Sequence, residues 1–212
     1  MQKELRIEEY INKLSSNSPT PGGGSAAALV AALSSSLTSM VFNLTIGKKV
    51  YNDLEKEEKQ KVDNALKASN EYNNLLLEFM DKDGEAFISL IRAFKLPKYT
   101  EEEITVRSLE ISKGYDNALK VPFNLAEESL KFYSNVLIAA VYGSKNVISD
   151  AGVASILLYA TIESSVLNVR INLSGIEDKA YREKVDNRCS KILEEALKFK
   201  NEIGKIVGSK IS

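Results

Sequence analysis

From Leu14 to Gly47 the chain carries no charged residue, and within that run stands Thr20-Pro-Gly-Gly-Gly-Ser25. Glycines ahead of an alanine-rich stretch mark a helix start and Gly47 marks a stop, so the spacing predicts a helix from about Gly24 to Ile46. Large apolar residues recur at Leu29, Leu33, Leu37, Met40 and Leu44, while Ala28, Ala32, Ser35 and Ser39 form a second, small-residue face. Both faces are expected to be buried, one against a bundle and one against a closely approaching helix. The run is about long enough to span a bilayer. Ser34, Ser35, Ser36, Thr38, Ser39, Asn43 and Thr45 make it a poor span, because so many polar groups erode the driving force for insertion. A solvent-shielded helix at a subunit interface fits better, and no membrane partner is expected.

The remaining segments also read as helices. Residues 2–14 place Leu5, Ile7, Ile11 and Leu14 at roughly helical spacing. Asn52 with Glu55, Thr100 with Glu103, Asn124 with Glu127 and Ser174 with Glu177 look like capped starts. Another helix is expected from near Ser149-Asp150 to Asn172. The last carries Val185, Cys189, Ile192, Ala196, Phe199 and Ile203 at steps of three and four. No segment alternates with period two between turn signals, so strands are not expected. With no internal repeat and no low-complexity linker, residues 1–212 are expected to form one all-α domain, a bundle of long antiparallel helices.

Composition narrows the chemistry. Basic and acidic residues nearly balance, 28 against 29, which argues against nucleic acid as a partner. Cys189 is the only cysteine, and the first residues mix charges without an apolar leader, so a reducing cytoplasm is the expected compartment. The chain has no histidine. That removes Ser-His and Cys-His mechanisms and the usual His-based zinc site, so no metal is expected. Acid–base work must fall to Asp, Glu, Lys, Tyr or Cys with shifted pKa values.

Four features stand out as chemistry. The stripe Val62, Ala65, Ser69, Tyr72, Leu76, Phe79, Asp83, Ala86, Leu90 follows coiled-coil spacing, with Asp83 where an apolar residue belongs. Either the helix frays at Asp83-Gly84 and leaves the carboxylate wet, or Asp83 faces a cavity that tunes its pKa. Gly22-Gly23-Gly24-Ser25 could present backbone N–H groups to an anion or simply pack tightly; it lacks the ending of a nucleotide P-loop. Asp150 is either a cap or a proton-transfer group. Asn168 and Asn172 share a helix face one turn apart, either exposed or positioned to read a polar heterocycle.

In combination these segments resemble a known family. Ser18-Pro-Thr-Pro-Gly-Gly-Gly-Ser-Ala-Ala-Ala-Leu29 and Met40-Val-Phe-Asn-Leu-Thr-Ile-Gly-Lys-Lys-Val-Tyr51 are similar to the cyclodeaminase domain of formiminotransferase-cyclodeaminase and its free-standing bacterial relatives. Asp83-Gly-Glu-Ala-Phe87, Leu96-Pro-Lys98, Val121-Pro122, Ser149-Asp-Ala-Gly-Val-Ala154 and Asn168-Val-Arg-Ile-Asn-Leu173 continue the pattern in order. The resemblance implies an all-helical homodimer acting on folate-bound one-carbon units, with tetrahydrofolate as substrate and no separate cofactor. It covers both methenyltetrahydrofolate cyclohydrolases and formimidoyltetrahydrofolate cyclodeaminases, and leaves the two activities open. Under it, Asp83 and Asp150, on different helices, are the candidates for proton transfer, with Lys98 polarising or binding substrate. Should the two carboxylates converge, like charge would push their pKa values apart and give one acid and one base. Gly22, Gly23, Gly24 and Ser25 would present backbone donors to a carboxylate or to the pterin, Asn43, Asn168 and Asn172 would meet the pterin edge, and Lys48 and Lys49 the anionic tail. The rival reading is a non-catalytic helical dimer, a scaffold or binding module in which the charge-free helix only makes an interface.

Overall fold

The computed structural model describes residues 1–212 and is helical throughout, with no strand. A 3-10 turn at Gln2–Glu4 precedes α1 (Ile7–Leu14). Then come α2 (Gly23–Asn43), the single turn α3 (Lys49–Asn52), α4 (Lys56–Phe94) and α5 (Glu101–Tyr142). A second 3-10 turn leads into α6 (Ile148–Leu173), and α7 (Lys179–Ile211) completes the chain. Helices α2, α4, α5 and α6 pack as a four-membered bundle in which α2 touches both α4 and α6, and α5 closes the ring. Helix α7 lies along α5 and α6. The main core gathers Phe42, Val62, Tyr133, Val136, Leu158, Ile162, Ile192 and Ile203 from α2, α4, α5, α6 and α7.

The charge-free segment forms α2, but its two faces are treated differently from expectation. Ala28, Ala32, Ser35 and Ser39 are buried, whereas Leu33 and Leu44 are about half exposed at 50% and 45%. The small side is the packed side because short side chains let neighbouring backbones approach. Ser34 Oγ donates to Ala154 O of α6 at 2.7 Å, and Ser35 Oγ donates to Ser69 O of α4 at 2.9 Å. The large-residue side stays partly open. Helix α2 ends at Asn43, three residues short of the predicted end, and the chain turns at Gly47, whose φ of 78° favours glycine.

Two predicted helix starts are absent. Asn124 and Glu127 lie inside the 42-residue α5, which runs straight through them and through the buried Pro122. Ser174 and Glu177 lie in the loop before α7, whose N-cap is Asp178, accepting from Tyr181 N. At Asn124 a side chain with capping chemistry was outweighed by packing of the longer helix, whereas Ser174 serves as the C-cap of α6 and Asp178 takes the capping role for α7. Thr100 caps α5 as predicted, in a reciprocal pair with Glu103, while α4 starts three residues later than predicted, on Glu55 with Glu58. The coiled-coil stripe is real: Val62, Ala65, Ser69, Leu76, Phe79 and Leu90 are buried. Helix α4 passes Asp83-Gly84 without a break, so the frayed-helix reading of Asp83 does not hold.

Candidate active site

A cavity of about 200 Å³ sits where the N-terminus of α2 meets the middle of α4 and the C-terminal turns of α6. Pro19, Thr20 and Gly22–Gly24 form one wall, Asp83 and Phe87 the second, and Ala118, Asn168, Ile171 and Asn172 the rest. Asp83 is the only charged group among them. A wider cleft between α6 and α7 is lined mainly by charged side chains, among them Arg170 and Asp186, and holds none of the predicted residues.

The glycines are explained by Asp83. Gly24 faces that carboxylate so closely that a methyl group built on it collides with both oxygens and their carbon. The space a side chain would fill is occupied by the carboxyl group. Oδ2 accepts from the backbone N–H of Ser25 at 3.0 Å, one of the donors that a helix start leaves without an intrahelical partner. A methyl group on Gly23 would meet Asn168 Oδ1 at 3.4 Å, an ordinary contact. Burial pushes the Asp83 carboxyl above the usual carboxylate range, and the Ser25 N–H opposes that only in part. The group is therefore poised to change protonation state closer to neutrality than a surface aspartate.

Behind this wall lies a support that the sequence did not reveal. Ser25 is fully buried, and its hydroxyl donates to Gln2 Oε1. Tyr10 OH of α1 lies 3.0 Å from Ser25 Oγ. With the serine proton committed to Gln2, the tyrosine is left as the donor. The N-terminal segment thus braces the residue whose N–H holds Asp83. Nothing in residues 1–14 beyond helical spacing signalled this.

The two asparagines are bound in a way that fixes what they offer. Asn168 Nδ2 donates to Ser164 O at 2.8 Å. Asn172 Nδ2 donates to Ala118 O at 3.0 Å and to Asn168 O at 2.8 Å. Both amide hydrogens of Asn172 are consumed, so only its carboxamide oxygen remains for a ligand.

The structure thus brings together Gly22, Gly23, Gly24, Ser25, Asp83, Asn168 and Asn172. The other predicted residues are elsewhere in the chain. Asp150, in the first turn of α6, lies eighteen residues from Asn168 on that helix, about 27 Å away. Asp83 and Asp150 therefore do not converge within one chain. Asn43, Lys48 and Lys49 are exposed at the opposite end of α2 from its glycines. Lys98 is exposed in the α4–α5 loop, beyond the end of a helix that continues eleven residues past Asp83. Conversely, Phe87 and Ile171 line the cavity and were not predicted to bind. Phe87 is one turn from Asp83 and Ile171 lies between the two asparagines, so helical spacing alone could have found them; Thr20 and Ala118 carried no such signal. No three His, Cys, Asp or Glu residues gather as a metal site.

A helical pocket with one half-buried carboxylate, braced from behind and faced by carboxamide oxygens, is equipped to move a proton to or from a small polar ligand. The chain belongs to the formiminotransferase-cyclodeaminase family, whose model matches residues 6–191. It is 38% identical to a methenyltetrahydrofolate cyclohydrolase of Methylorubrum extorquens over 97% of both chains. It is 32% identical to the mouse formimidoyltransferase-cyclodeaminase over 97% of this chain but only 37% of that protein. Among solved structures, formiminotetrahydrofolate cyclodeaminase from Thermotoga maritima matches the whole of both chains with a TM-score of 0.75 and 25% identity.

Proposed function

We propose that the protein is a folate one-carbon enzyme working at the carbon that bridges N5 and N10 of tetrahydrofolate, and that hydrolysis of 5,10-methenyltetrahydrofolate is its reaction. The observation that carries this is Asp83, the single carboxylate in a cavity otherwise free of charge. The methenyl substrate is an amidinium cation, and a carboxylate beside its carbon stabilises that charge. Water adds to the bridging carbon and gives its proton to Asp83. The C–N5 bond then breaks, N5 takes a proton, and 10-formyltetrahydrofolate leaves with one net proton released. A carboxyl group raised by burial suits both halves, as base first and acid afterwards.

The cavity volume of about 200 Å³ suits the bicyclic pterin rather than a whole folate. The oxygens of Asn168 and Asn172 would accept from its N–H groups, leaving the aryl and glutamate parts outside. Similarity to the free-standing cyclohydrolase over nearly its full length favours hydrolysis. The match to a solved cyclodeaminase supports a second reading, in which N10 attacks a formimino carbon and protonated Asp83 assists departure of ammonia.

Both reactions need only proton transfer and charge stabilisation, so the reading calls for no separate cofactor and suits a cytoplasmic enzyme. A homodimer belongs to it. Leu33 on α2, Leu44 just past its end, and Val153, Ile156, Leu167 and Ile171 on α6 are each more than 40% exposed, forming an apolar face fit for a second copy. A two-fold axis across α6 would bring the end bearing Asp150, Asn43, Lys48 and Lys49 of one chain toward the partner's cavity. Light scattering reporting a monomer at micromolar concentration would remove that part. Loss of near-ultraviolet absorbance from 5,10-methenyltetrahydrofolate, followed against the uncatalysed rate, tests the main reading; no acceleration refutes it. Ammonia release from 5-formimidoyltetrahydrofolate tests the second, and a blank in both leaves the scaffold.

A further inference from the structure

Pro122 is buried in the middle of α5, where a proline is normally costly. It has no N–H, so the carbonyl four residues earlier, that of Ala118, lacks the helical donor it would otherwise have. That carbonyl accepts Asn172 Nδ2 at 3.0 Å, across from α6, and Ala118 itself lines the cavity. The proline thus opens a gap in the hydrogen-bond ladder of α5 at the one carbonyl that a cavity asparagine occupies. Asn172 needs this acceptor, because its second amide hydrogen is already given to Asn168 O.

We propose that Pro122 is a positioning residue for the candidate site, reserving the Ala118 carbonyl for Asn172 and so keeping the Asn172 oxygen turned toward the ligand. This rests on the folate reading for its ligand but not for its geometry. A residue with an N–H at position 122 would give Ala118 O its intrahelical donor back, so the carbonyl would be shared between two donors and its hydrogen bond to Asn172 weakened and less well directed.

The test is Pro122→Ala, read in two ways. In the ligand-free protein, the side-chain amide protons of Asn172 are followed by NMR, with the resonances assigned by their absence from Asn172→Ala. The expected result is loss of exchange protection in Pro122→Ala, with a melting temperature equal to or above that of the unmodified chain. In the folate assay, KM is expected to rise about 3- to 10-fold, the worth of one neutral hydrogen bond, while kcat changes less than twofold. The KM effect should vanish when Pro122→Ala is made in an Asn172→Ala background.

Unchanged protection of the Asn172 amide overturns the proposal, whatever happens to KM. Lost protection with an unchanged KM overturns the functional half. If the unmodified chain turns over neither folate, the folate reading falls while the amide measurement still decides the geometry. Should Pro122→Ala fail to fold, Asn172→Asp keeps an oxygen toward the cavity and loses both donors. A wild-type KM in that variant overturns the proposal.

Discussion

The contact between Gly24 and Asp83 yields the sharpest prediction. Inside a helix, replacing glycine by alanine ordinarily gains about 0.5–1 kcal/mol. Gly204, on the exposed side of α7 with no atom within 4 Å of an added Cβ, should show that gain. At Gly24 the added methyl group falls on the Asp83 carboxyl group. Forcing the carboxyl aside costs about 1–3 kcal/mol for overpacking. It also breaks the charged hydrogen bond from Ser25 N–H, worth about 1.5–3 kcal/mol. After the helix gain is subtracted, Gly24→Ala should lose roughly 2–5 kcal/mol. For a domain of this size each kcal/mol moves the melting temperature by about 2–4 °C. Thermal unfolding by circular dichroism should therefore place Gly24→Ala roughly 4–20 °C below the parent, and Gly204→Ala roughly 1–4 °C above it. Turnover should fall in the first and not in the second. If Gly24→Ala melts and turns over like the parent, Asp83 does not lie against the start of α2, and the proposed cavity is wrong.

Three further outcomes concern buried groups. Asp83→Asn should lower kcat about 10²- to 10⁴-fold and abolish the acid limb of the pH profile. Because burial raises the folded-state pKa of Asp83, its contribution to stability is fully present below the ordinary carboxylate value and lost as pH rises through the raised one. The stability of Asp83→Asn relative to the parent should therefore increase across that window, as thermal melts at stepped pH would show; a constant difference refutes it. Cys189, fully buried and with its thiol pushed up to about 11 by burial, should resist a thiol reagent at pH 8 until the chain unfolds. Rapid labelling of the native protein would contradict that.

Much of the fold was legible because long helices announce themselves by period, and α4 shows why. Its three-and-four stripe runs unbroken in spacing from Val62 to Leu90 and needed no cap to be found. Caps misled where they stood alone: Asn124 with Glu127 has the chemistry of a start but lies inside a helix that packing carries onward. The faces of α2 misled for another reason. Size suggests that leucines go inward, yet a helix wedged between two others at backbone distance must turn its alanines and serines to them. For the site, Asp83 was found because a carboxylate broke an apolar pattern, and Asn168 and Asn172 because they share a face. Tyr10 and Pro122 were invisible as site residues, since each acts through a partner, Ser25 or Ala118, that only the folded chain supplies. Asp150, Lys48 and Lys49 show the complementary limit: matching a motif places residues in order along the chain, but says nothing of which end of a long bundle they occupy.

The binding of Asn172 by its own amide hydrogens has a consequence for redox selectivity. At the ring atom facing Asn172, a side chain that offers only its oxygen distinguishes heterocycles by their state of reduction. A tetrahydropterin carries ring N–H groups that such oxygens can accept; oxidation removes those hydrogens and leaves lone pairs in their place. Lone pair would then face lone pair, and a site built to hydrogen-bond an N–H rejects the analogue lacking it more strongly than any apolar pocket could. The arrangement that holds this one asparagine still would thereby bias its side of the cavity against oxidised folates of nearly the same shape.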